Sequence, residues 1–271
     1  RPSGARITYY VKQGSEGMKE KDSLHLFVLK GGDTIRHLTS KRPEKPGFHR
    51  IRWNLDEKGV ESPSRTLRKP KREPSGADVL PGTYTLVAQL GDQTATASIE
   101  VALDPRLNQS VAHAQEVYKA TKDVQALLAT VSESTQKLAQ ALGQIKAFEA
   151  QLKATETSLD DEEKERLKSL KATLTGLQDQ VLGKEDKRQG ITRNAEMTVL
   201  TRIRNASRYV QTRKSGITAT EQQLIQFAEE STQAFTQAVT TFFETEWVEF
   251  VDQMAPHQKP VLSKSLSPEV D

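Results

Sequence analysis

Three features of this sequence have residue types able to do chemistry: five histidines, one acidic run and one basic segment. The histidines are His25, His37, His49, His113 and His257. Imidazole titrates near neutrality and is the commonest metal ligand, but these five are scattered, with no two at a spacing that gathers metal ligands. Ordinary surface or interface roles are expected for His25 and His37 on strands and for His113 in a first helical turn. The run Asp160-Asp161-Glu162-Glu163 has the composition of a cation site or a pair of catalytic carboxylates. Its place in the first turn of a helix supplies a plainer reason, since acids there oppose the helix dipole. The chain has no cysteine, which excludes disulfides, cysteine-based zinc sites and a thiol nucleophile. It also lacks the serine elbow, the dinucleotide-binding glycine loop and the phosphate-binding loop. The expectation is no catalytic residue, no cofactor and no metal.

The basic segment is the most unusual. Arg65, Arg68, Lys69, Lys71 and Arg72 fall within eight residues, flanked by Pro63, Pro70 and Pro74. The prolines predict an extended, exposed excursion over residues 63–74. Such a segment suits an acidic polysaccharide, an envelope surface or an acidic neighbouring domain. No aromatic is interleaved to stack on a sugar or a base, so a solvated loop is the simpler reading.

Positioning these groups requires two kinds of element. Up to Asp104 apolar residues alternate: Leu24, Leu26 and Val28; Ile51 and Trp53; Tyr84 and Leu86. Alternation buries one face of a sheet, predicting strands at 5–11, 23–29, 34–38, 49–54, 82–90 and 94–103. Gly31-Gly32-Asp33 and Gly91-Asp92 form the turns between neighbours. Six or seven short strands in about 100 residues is the spacing of an immunoglobulin-like β-sandwich.

Beyond Asp104-Pro105 the period becomes helical. Val117, Thr121, Val124, Leu128, Val131, Thr135, Leu138, Leu142, Ile145, Glu149 and Leu152 step by fours and threes, the seam of one long helix. Ser158 with Asp161 reads as a capping box opening a second helix, with a seam through Leu167, Leu170, Leu174, Leu177 and Val181. A third helix is predicted over 195–213, and a fourth from the Thr218/Glu221 box to about Met254. Phe235, Phe242, Phe243, Trp247 and Phe250 cluster in the last as candidate core. The fold class expected is therefore multi-domain, all-β plus all-α. An immunoglobulin-like antiparallel sandwich (1–104) precedes an elongated antiparallel helical bundle (105–255) and an extended tail (256–271).

Charge is sorted along the chain. Residues 1–104 carry 18 basic and 13 acidic side chains, and the remainder 21 and 23, so a formal charge of +3 conceals a basic first part and an acidic second. Residues 191–216 hold six basic side chains and one acid, whereas 217–254 hold seven acids and no Lys or Arg. That contrast predicts that the basic helix serves a neighbouring helix rather than nucleic acid. No run approaches the roughly 18 apolar residues of a membrane span.

Three motifs occur in order: Ala5-Arg6-Ile7-Thr8-Tyr9-Tyr10, Gly47-Phe48-His49-Arg50-Ile51-Arg52-Trp53-Asn54-Leu55 and Leu80-Pro81-Gly82-Thr83-Tyr84-Thr85-Leu86. Together with Asp104-Pro105-Arg106, Gln189-Gly190-Ile191-Thr192 and Phe242-Phe243-Glu244-Thr245-Glu246-Trp247, they cover most of the chain. The pattern resembles the immunoglobulin-like module related to the flagellar hook-capping protein FlgD, with the helical tail that follows it in large bacterial secreted β-propeller proteins. Those proteins are described as sortilin-like or Asp-box (BNR) glycosyl-hydrolase-like. The resemblance implies a noncatalytic C-terminal accessory region, with an upstream β-propeller domain of the same parent as partner and a secreted, periplasmic or cell-envelope location. Arg1-Pro2-Ser3-Gly4, with neither initiator Met nor apolar leader, fits a piece of such a protein. No Asp-box repeat occurs, so no functional residue carries over, and the basic segment has no counterpart in the pattern.

Overall fold

The computed structural model describes residues 4–12, 23–41, 43–67, 70, 72–107, 109–184 and 197–257. It contains antiparallel β-sheets followed by α-helices. The described residues fall into two compact units that are not continuous in sequence. One draws on Arg1–Glu61, Pro70–Gln125 and Val210–Ile217, the other on Ser62–Lys69, Ala126–Tyr209 and Thr218–Asp271. Strand gives way to helix near Asp104, as the change of period predicts. The compact units divide elsewhere, because the first helix supplies residues to both.

Among its described residues the first unit holds eight strands: β1 (Ala5–Val11), β2 (Ser23–Lys30), β3 (Asp33–Lys41), β4 (Gly47–Trp53), β5 (Asp56–Lys58), β6 (Ser75–Asp78), β7 (Gly82–Leu90) and β8 (Gln93–Val101). They form a four-stranded sheet of order β3-β2-β7-β8, a β1-β4 ribbon and a short β5-β6 ribbon. Alternation dictates the core: Leu26 and Val28 of β2, Trp53 of β4 and Tyr84 and Leu86 of β7 are buried together, with Ile7 and Ile51 packed against them. Trp53 and Tyr84 meet edge-on at 5.6 Å. Both polar tips find carbonyls, as burial requires: Trp53 Nε1 donates to Asp56 (2.8 Å) and Tyr84 Oη to Leu80 (2.6 Å).

The sequence pattern overlooks β5 and β6. Asp56-Glu57-Lys58 has neither alternation nor strand propensity; tertiary contacts hold it. Asp56 is buried, accepts a hydrogen bond from the Ser75 hydroxyl and lies 3.5 Å from the buried guanidinium of Arg36. Gly76 allows the close approach, since a Cβ there would come within 2.6 Å of the Lys58 carbonyl oxygen.

The helices are α1 (Val111–Ala154), α2 (Asp161–Leu182), α3 (Val199–Thr212), α4 (Ala219–Glu244) and α5 (Glu246–Met254), with a 3-10 turn at Ala255–His257. On α1 the predicted seam is buried at Val124, Val131, Thr135, Leu138, Ile145 and Leu152, but Ser132, Ala139, Ala141 and Phe148 widen it. The Thr135 hydroxyl donates to its own helix at Val131 (2.7 Å), which removes the cost of burying it. The predicted α2 seam is buried at all five positions.

Two helix boundaries differ from expectation. The α2 box is Asp160 with Glu163, not Ser158 with Asp161; each side chain binds the other's backbone N–H at 2.8–2.9 Å. Leu159 is buried, so the helix starts just after it. The fourth predicted helix is two, α4 and α5, broken at Thr245, whose hydroxyl donates to Thr241 at 2.7 Å and whose backbone leaves the helical region. The Thr218/Glu221 box opens α4 as predicted. Among the described residues no helix is long and apolar enough to cross a membrane. The tail from 258 onward lies outside the described residues.

Candidate functional site

Of the basic segment, Arg65 and Arg72 are described; Arg68, Lys69 and Lys71 lie outside the described residues. Arg72 is exposed. Arg65 is engaged inside the helical unit: its guanidinium donates to Asp179 of α2 at 2.7 Å and to the Gly183 carbonyl, while Gln178 donates to the Arg65 carbonyl at 3.2 Å. Arg65 and Asp179 are each only about one-fifth exposed. Pro63 is buried alongside. Pro63 and Arg65 thus belong to the helical unit and are not part of a solvated excursion, while Thr66 and Leu67 beyond them are exposed.

The clearest exposed chemistry lies on the outer face of the β1-β4 ribbon. Pairing sets Arg6 opposite Arg52, Thr8 opposite Arg50 and Tyr10 opposite Phe48, and all six are exposed while their neighbours turn inward. Tyr10 and Phe48 are 61% and 79% exposed, with rings edge to face at 5.1 Å. Arg50 Nε donates to the Thr8 hydroxyl at 3.3 Å. One end of the face is therefore aromatic and the rest cationic. The motifs behind the family resemblance contain these residues, but only pairing reveals that they share a surface.

The same unit has a cleft of about 450 Å³, lined by Asn54, Asp78, Tyr118, Thr121, Gln211 and Lys214 among others. Burial raises the Asp78 carboxyl above its ordinary pKa, against the pull of the Lys214 ammonium. Tyr118 is pushed up to about 12, by burial first and then by its 2.8 Å hydrogen bond to Glu57. Glu57 also takes Lys122 at 3.0 Å. A concave site with displaced titrations can take a small polar ligand. The described geometry contains no nucleophile–base pair in it.

The histidines come together in a way their spacing conceals. On the outer face of the four-stranded sheet, His25 Nδ1 lies 2.8 Å from His37 Nε2. His257 Nε2 contacts Glu163 at 2.8 Å, and His49 Nε2 donates to the Lys45 carbonyl. Glu163 is thus occupied by its cap and by His257, so the acidic run serves the helix start, as the dipole reading predicts. Among the described residues no group of three or more His, Asp or Glu gathers at a metal position. On the basic α3, Arg202 covers the half-exposed Phe227 ring of α4 at 5.8 Å, while Glu249 of α5 pairs with Arg166 of α2 at 2.9 Å. Charge sorting therefore acts partly through cation–π contact and through α2. No family model matches this chain, and neither a curated protein nor a solved structure matches it.

Proposed function

We propose that this chain is a noncatalytic accessory region of a larger secreted β-propeller protein, and that it works by packing against a neighbouring domain. The β-strand unit is read as an immunoglobulin-like sandwich and the helices as an elongated antiparallel bundle. Two features favour the sandwich: the order β3-β2-β7-β8, in which the hairpins β2-β3 and β7-β8 join through β2 and β7, and the Tyr84–Leu80 bond, which has the form of a tyrosine corner.

The observation that carries the interaction reading is the exposed Tyr10–Phe48 pair beside Arg6, Arg50 and Arg52. An aromatic anchor with a cationic rim is the composition of a docking surface, here for an acidic face of the upstream propeller. Titration calorimetry of this chain against the parent's propeller region tests it. Binding that Tyr10→Ser with Phe48→Ser weakens more than about tenfold supports the proposal, and no binding of the unmodified chain overturns it. A second reading is an acidic glycan or envelope surface. It moves from residues 65–72 to the ribbon, because Arg65 is engaged internally and the ribbon has the rings that the basic segment lacks. Retention on an acidic-glycan array that falls with salt selects this reading over the first.

A further inference from the structure

We propose that His25 and His37 form a two-imidazole site for a divalent transition metal of tetragonal preference, copper(II) ahead of nickel(II). The site is independent of the ribbon face and of the family resemblance. β2 and β3 pair with His25 opposite Thr39 and Phe27 opposite His37, so the two histidines are diagonal neighbours on one outer face. Their facing nitrogens share a hydrogen bond at 2.8 Å, one ring donating to the other, and the rings are stacked at 22° with 5.0 Å between centres. Phe27 stacks on His37 at 4.5 Å and 8°, and lies 6.3 Å from His25, which confines both rings.

The separation selects the metal. Two metal–nitrogen bonds of about 2.0–2.1 Å place their donors about 2.9 Å apart at a right angle and about 3.3 Å apart at a tetrahedral angle. The hydrogen-bonded spacing of 2.8 Å is close to the cis separation of a square-planar or tetragonal ion, so the rings need move less to take such an ion than to take tetrahedral zinc. The stability order of divalent ions points the same way. The remaining positions belong to water, since the protein supplies two ligands here. The pair opens on a depression of about 390 Å³ whose wall includes Ser23 and Gln89, able to bind such waters. Coordination needs lone pairs on both facing nitrogens. One ring therefore shifts its proton through solvent to its other nitrogen, with no net proton released.

A negative charge lies beside the site, since Glu73 accepts the His37 backbone N–H at 2.8 Å.

The test is titration of the purified chain with copper(II) chloride in a non-coordinating buffer, by calorimetry and electron paramagnetic resonance. The expected result is one equivalent bound with a two-nitrogen hyperfine pattern, and zinc at least about tenfold weaker. His25→Gln and His37→Gln each weaken copper binding more than about tenfold and abolish that pattern, whereas His49→Gln leaves both unchanged. Thermal unfolding shows whether the variants keep their fold. The spectrum of the unmodified chain decides independently of any variant. A copper spectrum with fewer than two nitrogens overturns the proposal, as does binding that survives both replacements or zinc binding as tight as copper.

Discussion

In the helical unit the large rings Phe148, Phe235, Phe242, Trp247 and Phe250 are buried, and Arg65, Arg166 and Lys171 are paired with Asp179, Glu249 and Glu149. The β-strand unit also buries Trp53 and Tyr84, yet it sets Tyr10, Phe48 and three arginines on one outer face and a stacked His–His–Phe group on another. The difference follows from geometry. A helix with a wide apolar stripe satisfies its side chains against neighbouring helices, whereas a strand sends every second residue to a face with nothing above it. Surfaces for recognition are thus concentrated where alternation leaves them.

The chain's two tryptophans report on the units separately, Trp53 on one and Trp247 on the other. The largest effect is expected inside the sheet. Tyr84→Ala removes a buried ring and its hydrogen bond, and should cost about 3–5 kcal/mol in urea unfolding followed by Trp53 emission. A shift below about 1 kcal/mol would break the claim that this unit has a specifically packed core. Next, Asp56→Ala leaves the Arg36 guanidinium buried without its nearest carboxylate, at a cost of about 3 kcal/mol by the same readout. In the helical unit, Arg65→Ala should cost about 1–2 kcal/mol on Trp247 emission, because its pair with Asp179 is partly exposed. No change there would return the basic segment to a solvated role. Tyr10→Ser with Phe48→Ser should move stability by no more than about 0.5 kcal/mol. A large loss would make those rings structural and erase the contrast between the units.

The smallest effect concerns pH. Hydrogen bonds from Arg106 hold the Asp104 carboxyl down to about 2 from 3.8. A depressed carboxylate contributes stability above the unfolded pKa and loses it as pH falls toward 2. Carboxyl NMR titration should find the depressed value, and Arg106→Gln should return it toward 3.8.

How much was legible depends on the range of the interaction. β1 and β7 match the alternation residue for residue, the α2 seam is buried as its period requires, and the Thr218/Glu221 box opens α4. Each is specified by residues within a few positions of one another. The break at Thr245 is not legible because apolar periodicity continues across it, and the threonine back-bond it makes to Thr241 also occurs inside unbroken α1 at Thr135. The capping box itself is local: the rule asks for Glu or Gln three residues after the cap, which Asp160 with Glu163 meets and Ser158 with Asp161 does not. Nothing local marks β5 and β6, which are held by Arg36, far from them in sequence.

By itself, then, the sequence determined the succession of strands and helices apart from β5, β6 and the break between α4 and α5, together with the turns and most core positions, since period, propensity and capping act over a few residues. Tertiary structure alone decided which polar groups distant in sequence meet. It took Arg65 out of the basic segment and gave it to Asp179, brought His25 to His37 across a strand pair, and set Tyr10 beside Phe48 with three arginines. These partners are separated by 12 to 114 residues. Their approach depends on register and packing of the whole unit, which no local pattern encodes.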